Sequence, residues 1–242
     1  MQVVRAYVIT APAIILATIG FGLVSLVISL FETSGRRQIA VARSWARFLL
    51  WVSGVQVKVE GLEKISPEGS YVFVANHLSY MDTPVVLANI PVQFRFMAKR
   101  GLFQIPFLGT HLGRAGHIPV PRDDPRGAVK AMATAAQIVR ERGISLLIFP
   151  EGGRSHDGQL QPFKEGAAHI AIRAGVSVVP VAVQGTREIL PYGSACVRSG
   201  RVTMRIGELI ATAGAQPRDR ERLTNELHNR IAALIEEHPI PA

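Results

Sequence analysis

The sequence predicts an α/β domain, built on a mixed, largely parallel sheet flanked by helices and preceded by a hydrophobic membrane helix and an interfacial helix. Three observations predict it. From Val55 onward short apolar runs alternate with helical patterns, the trace that strand-helix units leave in a sequence. Several of those runs are apolar throughout, as central strands covered on both faces are. Ahead of them Ala6 to Phe31 contains no charged residue and exceeds the roughly 20 apolar residues a bilayer crossing needs.

The elements follow in order. The expected division is residues 1–54 as a membrane-anchoring helical segment and residues 55–242 as the α/β domain. The apolar run is longer than a secretory signal's core and is bounded by Arg5 and Glu32. Pro12, Gly20 and Gly22 interrupt it, so it either spans or enters one leaflet and bends back. Arg36, Arg37, Arg43 and Arg47 follow it and only Arg5 precedes it, which predicts a domain on the cytoplasmic side of the cell membrane. "GRRQIAVARSWARFLLWVSG" reads as a helix with Arg36, Arg43 and Arg47 on one face, suited to lying in an anionic lipid interface; the alternative is a helix packed on the domain with a solvated basic edge.

Strands are expected at Val55 to Val59, Tyr71 to Ala75, Phe94 to Ala98, His117 to Val120, Ser145 to Phe149, Ser177 to Val183 and Val202 to Ile206. Pro180 inside one of them predicts a bulge or a locally unpaired edge, because proline has no N–H for the ladder. Asp124 and Pro125 are an N-cap and first helical position, Val129, Met132, Ala136 and Val139 form an apolar stripe, and Gly143 is a stop. A last helix, about Pro217 to Glu237, carries Leu223, Leu227, Ile231 and Leu234 at helical spacing.

The 242-residue chain is 48% hydrophobic with a formal charge of +9. That composition excludes a disordered chain, and the charge favours anionic partners. Its one cysteine, Cys196, excludes a disulfide framework and a cysteine-built zinc site. No metal is expected, since His111, His117, His156 and His169 lack ligand spacing.

In "FVANHLSYMD" an apolar strand runs into His77, with Asp82 five residues on. Residues five apart diverge on a helix, so the pair meets only if the chain turns between them. Ser79 and Asp82 resemble a capping box and Pro84 suits a first helical turn. A strand ending at Ala75 then places His77 in a loop with Asp82 reaching back from the next helix. Asp82 accepting from one ring nitrogen leaves the other free to take a proton from a hydroxyl. Strand ends are also where open α/β sheets bind ligands. A Ser-His-Asp hydrolase lacks its Gly-x-Ser-x-Gly elbow here.

"FPEGGRS" repeats the form after another strand. Gly152 and Gly153 let backbone N–H groups approach an anion, Arg154 offers a planar fork for phosphate, and Glu151 either holds Arg154 or accepts from a ligand hydroxyl. Arg122 falls just past the third such strand, and Lys99 and Arg100 past a fourth. Together they describe a site that deprotonates a hydroxyl on a phosphate-bearing molecule. Nucleic acid ranks last among partners, because the domain shows no aromatic-basic interleaving.

The blocks "NHLSYMD", "GHIPVPR" (Gly116 to Arg122), "FPEGGRS" and "VVPVAV" (Val178 to Val183) resemble, in order and content, the glycerolipid acyltransferase family, most closely its bacterial 1-acyl-glycerol-3-phosphate acyltransferases. "AKRGLFQIPFLG" is similar to the family too. The departures are Pro119 and Pro121 in the second block and Gly153, where the family usually has threonine. The resemblance implies that His77, oriented by Asp82, activates the free hydroxyl of a lysophospholipid for attack on an acyl-CoA or acyl-carrier-protein thioester, without a cofactor or an acyl-enzyme. It implies that Lys99, Arg122, Glu151, Gly152 and Arg154 bind the phosphate head group and that backbone N–H groups near His77 stabilise the oxyanion. The acceptor is then lysophosphatidic acid, with another lysolipid, such as a lyso-ornithine lipid or a lysophosphoinositide, as the alternative. A non-catalytic anionic-lipid binding protein is the competing class; an oriented base argues against it.

Overall fold

The computed structural model describes residues 2–32, 34–121 and 123–237. A helical run opens it: Gln2–Arg5, a π-helical turn Ala6–Thr10, and α1, Ala11–Phe31. Pro12 has no N–H to give back to the preceding turn, and the π turn ends two residues before it. The run continues through Gly20 and Gly22 without reversing. It is apolar and long enough to cross a membrane, and Leu16, Ile19, Leu23, Val27 and Leu30 are exposed along it.

The next helix, α2 (Arg36–Ser53), lies against α1. Its Arg43 is not on a lipid-facing edge: Nη2 donates to the carbonyls of Ile90 (2.7 Å) and Val92 (2.6 Å). Ala42, Ala46 and Leu50 enter the core beneath the sheet, while Arg47 and Trp51 stay exposed. The packed alternative therefore describes most of this helix. Polar bonds tie the N-terminal helical run down along its length. Arg5 donates to Val52 O, Trp45 Nε1 to Thr18 Oγ1 and Arg114 to Ser29 Oγ, and Ser25 Oγ lies 2.7 Å from His111 Nδ1.

Seven strands among the described residues form one sheet: β1 Val55–Glu60, β2 Val72–Ala75, β3 Phe94–Lys99, β4 Ile118–Val120, β5 Ser145–Ile148, β6 Val178–Gln184 and β7 Gly200–Ile206. Their order is β1-β7-β6-β2-β5-β3-β4, parallel except where β6 meets β7. All seven fall where the apolar runs predict them. The intervening helices are α3 (Asp82–Asn89), α4 (Leu108–Arg114), α5 (Pro125–Arg142), α6 (Gly166–Ala174), the single turn α7 (Thr186–Ile189) and α8 (Arg220–Glu236).

Alternation along the strands divides the core into two layers. Phe73, Phe94, Leu147 and Val179 pack towards α2 and α3, whereas Val72, Val74, Leu146 and Val178 pack towards α5, α6 and α8. Leu223, Leu227 and Ile231 supply the α8 stripe, with Leu234 half-buried. On α5 the cap works as expected, Asp124 accepting from Gly127 N, but Val129 points to solvent and Ala135 takes its place in the core. A period of 3.6 lets 129 fall off a stripe centred on 135, 136 and 139.

Pro180 lies in the middle of the sheet, and its missing donor faces the end of β7. Its carbonyl accepts from Gly207 N (2.9 Å), and the pairing slips by one residue between Val181↔Ile206 and Val178↔Ile210. The expected bulge is present, on the strand opposite the proline.

Candidate active site

Strand register decides which residues meet. Phe73 pairs with Leu147 on one side and Val179 on the other, and Leu147 pairs with Phe96. From that row His77, Glu151 and Val183 are each four residues onward, and Lys99 three. One carboxyl edge thus gathers the His77 loop, the Glu151 turn and the end of β6, where parallel sheets bind ligands.

Asn76 fixes where the loop leaves the sheet. Its side-chain amide donates to Val183 O (2.9 Å) and accepts from Val183 N (2.7 Å). His77 then turns so that Nδ1 lies 2.7 Å from Asp82 Oδ2. The same oxygen accepts from Leu78 N (2.7 Å) and Ser79 N (2.8 Å), and Oδ1 accepts from Thr186 Oγ1 (2.5 Å). With donors on every other side of the carboxylate, Nδ1 carries the proton and Nε2 is left as the acceptor. Asp82 is fully buried while the His77 ring is 16% exposed, so the acceptor nitrogen is reachable and its orienting partner is shielded. The ring stacks on Phe149, with centroids 4.1 Å apart and planes at 16°.

Glu151 departs from expectation. Its Oε1 accepts from His77 N (2.6 Å) and its Oε2 from Gln161 N (3.1 Å), so it holds the His77 loop rather than Arg154. Burial pushes its carboxyl up to about 7, against the two amide bonds that lower it. The amides of His77, Leu78 and Ser79 are all taken by carboxylates, which removes them as oxyanion donors. Gly152 N is also taken, by Phe149 O (3.1 Å). Gly152 has φ +78, and a Cβ there would lie 2.8 Å from Lys164 Nζ; the glycine makes room for a cation.

Arg154 lies over two aromatic rings, its Cζ 3.6 Å from the Tyr80 centroid and 4.5 Å from that of Tyr192. Among the described residues no carboxylate pairs with it. Lys99 is exposed at the end of β3, on the same sheet edge. Arg122 lies outside the described residues. Thr186, Lys164, Tyr80, Tyr192 and Gln161 are neighbours of the site that motif reading passes over. Thr186 alone carries a readable signal, a Gly-Thr directly past an apolar strand.

A histidine held in one tautomer shares one carboxyl edge of the sheet with cations that no carboxylate pairs among the described residues, the place where α/β enzymes hold their ligands. The acyltransferase family model matches residues 56–184, and the chain belongs to that family. It is 34% identical to the chloroplastic 1-acyl-sn-glycerol-3-phosphate acyltransferase LPAT1 of Arabidopsis thaliana over 81% of this chain and 53% of that protein. It is 28% identical to the 1-acyl-sn-glycerol-3-phosphate acyltransferase of Borreliella burgdorferi, covering 83% of this chain and 80% of that one. The chain spans about half the length of the plant relatives it matches. The crystal structure of the 1-acyl-sn-glycerophosphate acyltransferase PlsC from Thermotoga maritima superposes with a TM-score of 0.81 at 25% identity, with both chains covered in full. The resemblance expected from the four motif blocks, and the fold it implies, are borne out.

Proposed function

We propose that this chain transfers a fatty acyl group from acyl-CoA or acyl-carrier protein to the free hydroxyl of 1-acyl-glycerol-3-phosphate, forming phosphatidic acid at a membrane. The observation that carries this reading is the His77–Asp82 pair, with its reachable Nε2, in a turn whose Tyr80 carries Arg154, a cation that no carboxylate pairs among the described residues. Nε2 takes the acceptor's hydroxyl proton as that oxygen bonds to the thioester carbonyl carbon. The tetrahedral intermediate collapses with cleavage of the C–S bond, and the proton on Nε2 passes to the departing sulfur. Asp82 steadies the imidazolium formed between the two steps. Arg154, Lys99 and Lys164 bind the phosphate, with Arg122 as a further cation named by the sequence. Glu151 holds the base's loop, and Gly152 admits the Lys164 side chain. The relatives' printed substrates and the exposed apolar face of α1 support a lipid acceptor delivered from the bilayer. The charge bias after α1 supports a cytoplasmic placement.

The test is acyl transfer by the purified, detergent-solubilised protein, offering labelled acyl-CoA or acyl-carrier protein with lysophosphatidate or a neutral lysolipid. The expected result is phosphatidate formation that falls about 10²- to 10⁴-fold in His77→Ala, the range for loss of a general base. Transfer only to the neutral acceptor would overturn the phosphate assignment. Transfer undiminished in His77→Ala would overturn the base.

A further inference from the structure

An arginine kept for a ligand has to be held in place without being neutralised. A carboxylate partner would hold Arg154 well, but it would occupy the fork of N–H donors that a phosphate needs. The rings of Tyr80 and Tyr192 attract the guanidinium through their faces, at 3.6 and 4.5 Å from Cζ, and leave the N–H edge open. Neither ring is there to fill the core, since Tyr80 is 64% exposed and Tyr192 41%.

Both rings are anchored to the machinery around the base. Tyr80 belongs to the turn between His77 and Asp82, whose Ser79 Oγ donates to Leu190 O (2.8 Å). That bond joins the turn to the segment carrying Tyr192. Tyr192 is backed in turn by His156, with ring centroids 3.9 Å apart, and Arg187 Nη2 holds the His156 carbonyl (2.9 Å). Arg154 is therefore located relative to His77 by the loop that orients the base.

We propose that Tyr80 and Tyr192 are positioning residues for the acceptor's phosphate: their ring faces fix Arg154 beside the catalytic turn while leaving its donors free. This rests on the reading that Arg154 binds the phosphate of the acyl acceptor.

The experiment is steady-state kinetics of the full chain on lysophosphatidate, with the acyl donor varied separately. It compares Tyr80→Leu, Tyr192→Leu, Tyr80→Phe, Tyr192→Phe, Arg154→Ala and the double variant Tyr80→Leu/Arg154→Ala. Each leucine variant is expected to raise KM for lysophosphatidate about 2- to 5-fold, the equivalent of an exposed cation–π contact, with kcat and the donor's KM unmoved. The phenylalanine variants, which keep the ring, should restore the parent KM. In the Arg154→Ala background Tyr80→Leu should add nothing. The proposal is overturned if the leucine variants keep the parent KM, if phenylalanine is as damaging as leucine, or if the Tyr80 effect persists in full without Arg154. An Arg154→Ala variant with the parent KM would instead overturn the phosphate reading.

Discussion

Thr186→Val removes one hydroxyl and keeps the side chain's shape, at a position with no solvent exposure. The lost bond is the 2.5 Å donation to Asp82 Oδ1, and Asp82 is itself fully buried, so no water replaces it. Hydrogen bonds to charged groups contribute about 1.5–3 kcal/mol, and a buried acceptor left unmet costs a similar amount. For a domain of this size each kcal/mol moves Tm by about 2–4 °C, so the variant should melt roughly 3–12 °C lower. Thr186→Ser retains the donor and should recover most of that loss. With only Oδ2 still held, the carboxylate is freer to rotate. The valine variant's kcat should fall by about tenfold, within the up to ~10² that misplacing a reacting group costs. Thermal melts and initial rates on the three proteins decide it. A valine variant that melts with the parent, while retaining parent kcat, would refute the claim that Thr186 bears on the orientation of His77 through Asp82.

Glu151→Gln leaves one of two amides, His77 N or Gln161 N, facing an NH₂ group, and should cost about 1–3 kcal/mol. The parent carboxyl is raised to about 7 in the folded protein, so the folded state binds more protons than the unfolded one between about pH 4.5 and 7. The parent should therefore lose stability relative to Glu151→Gln as pH rises through that window, which melts at pH 5 and pH 8 would register. His117 has the opposite sign. Burial, with His111 and Arg95 nearby, lowers it to about 3, and its Nδ1 accepts from Phe96 N (2.9 Å). The unfolded chain binds the extra proton between about pH 6.5 and 3, so stability falls on acidification, by up to about 1.4 kcal/mol per pH unit. His117→Asn, whose amide oxygen can meet the same N–H, should flatten that slope in an acid titration followed by circular dichroism. Gly185→Ala should be damaging for two reasons. Its φ is +91, and a Cβ would stand 2.3 Å from Arg201 O; a left-handed residue alone costs about 1–3 kcal/mol. Denaturant midpoints test it, and a shift below 1 kcal/mol would show that β7 yields more easily than expected.

The strands were legible because a two-sided sheet demands continuous apolar runs, and Val72 to Ala75 or Ser145 to Ile148 have no other plausible use. The His77–Asp82 pair was legible because its turn is local: Ser79 lies between the two residues and Pro84 two positions past them. What the sequence hid is long-range. Glu151 meeting His77 N depends on β2 and β5 being neighbours in a particular register. Tyr192 reaching Arg154 depends on the path of the chain between α7 and β7. Arg43 was misplaced because a basic residue on an amphipathic helix looks the same whether it faces lipid phosphate or two carbonyls.

Asn76 imitates a peptide group. By giving and taking one hydrogen bond with Val183, its amide adds a rung to the sheet after β2 has ended, and the main chain is released to turn one residue before His77. Aspartate could accept but not donate, serine and threonine are too short to bridge, and an apolar residue would leave both Val183 groups unmet in a buried place. Position 76 therefore favours asparagine for reasons of carpentry, and a screen for loss of activity would single it out although both of its bonds are to the sheet.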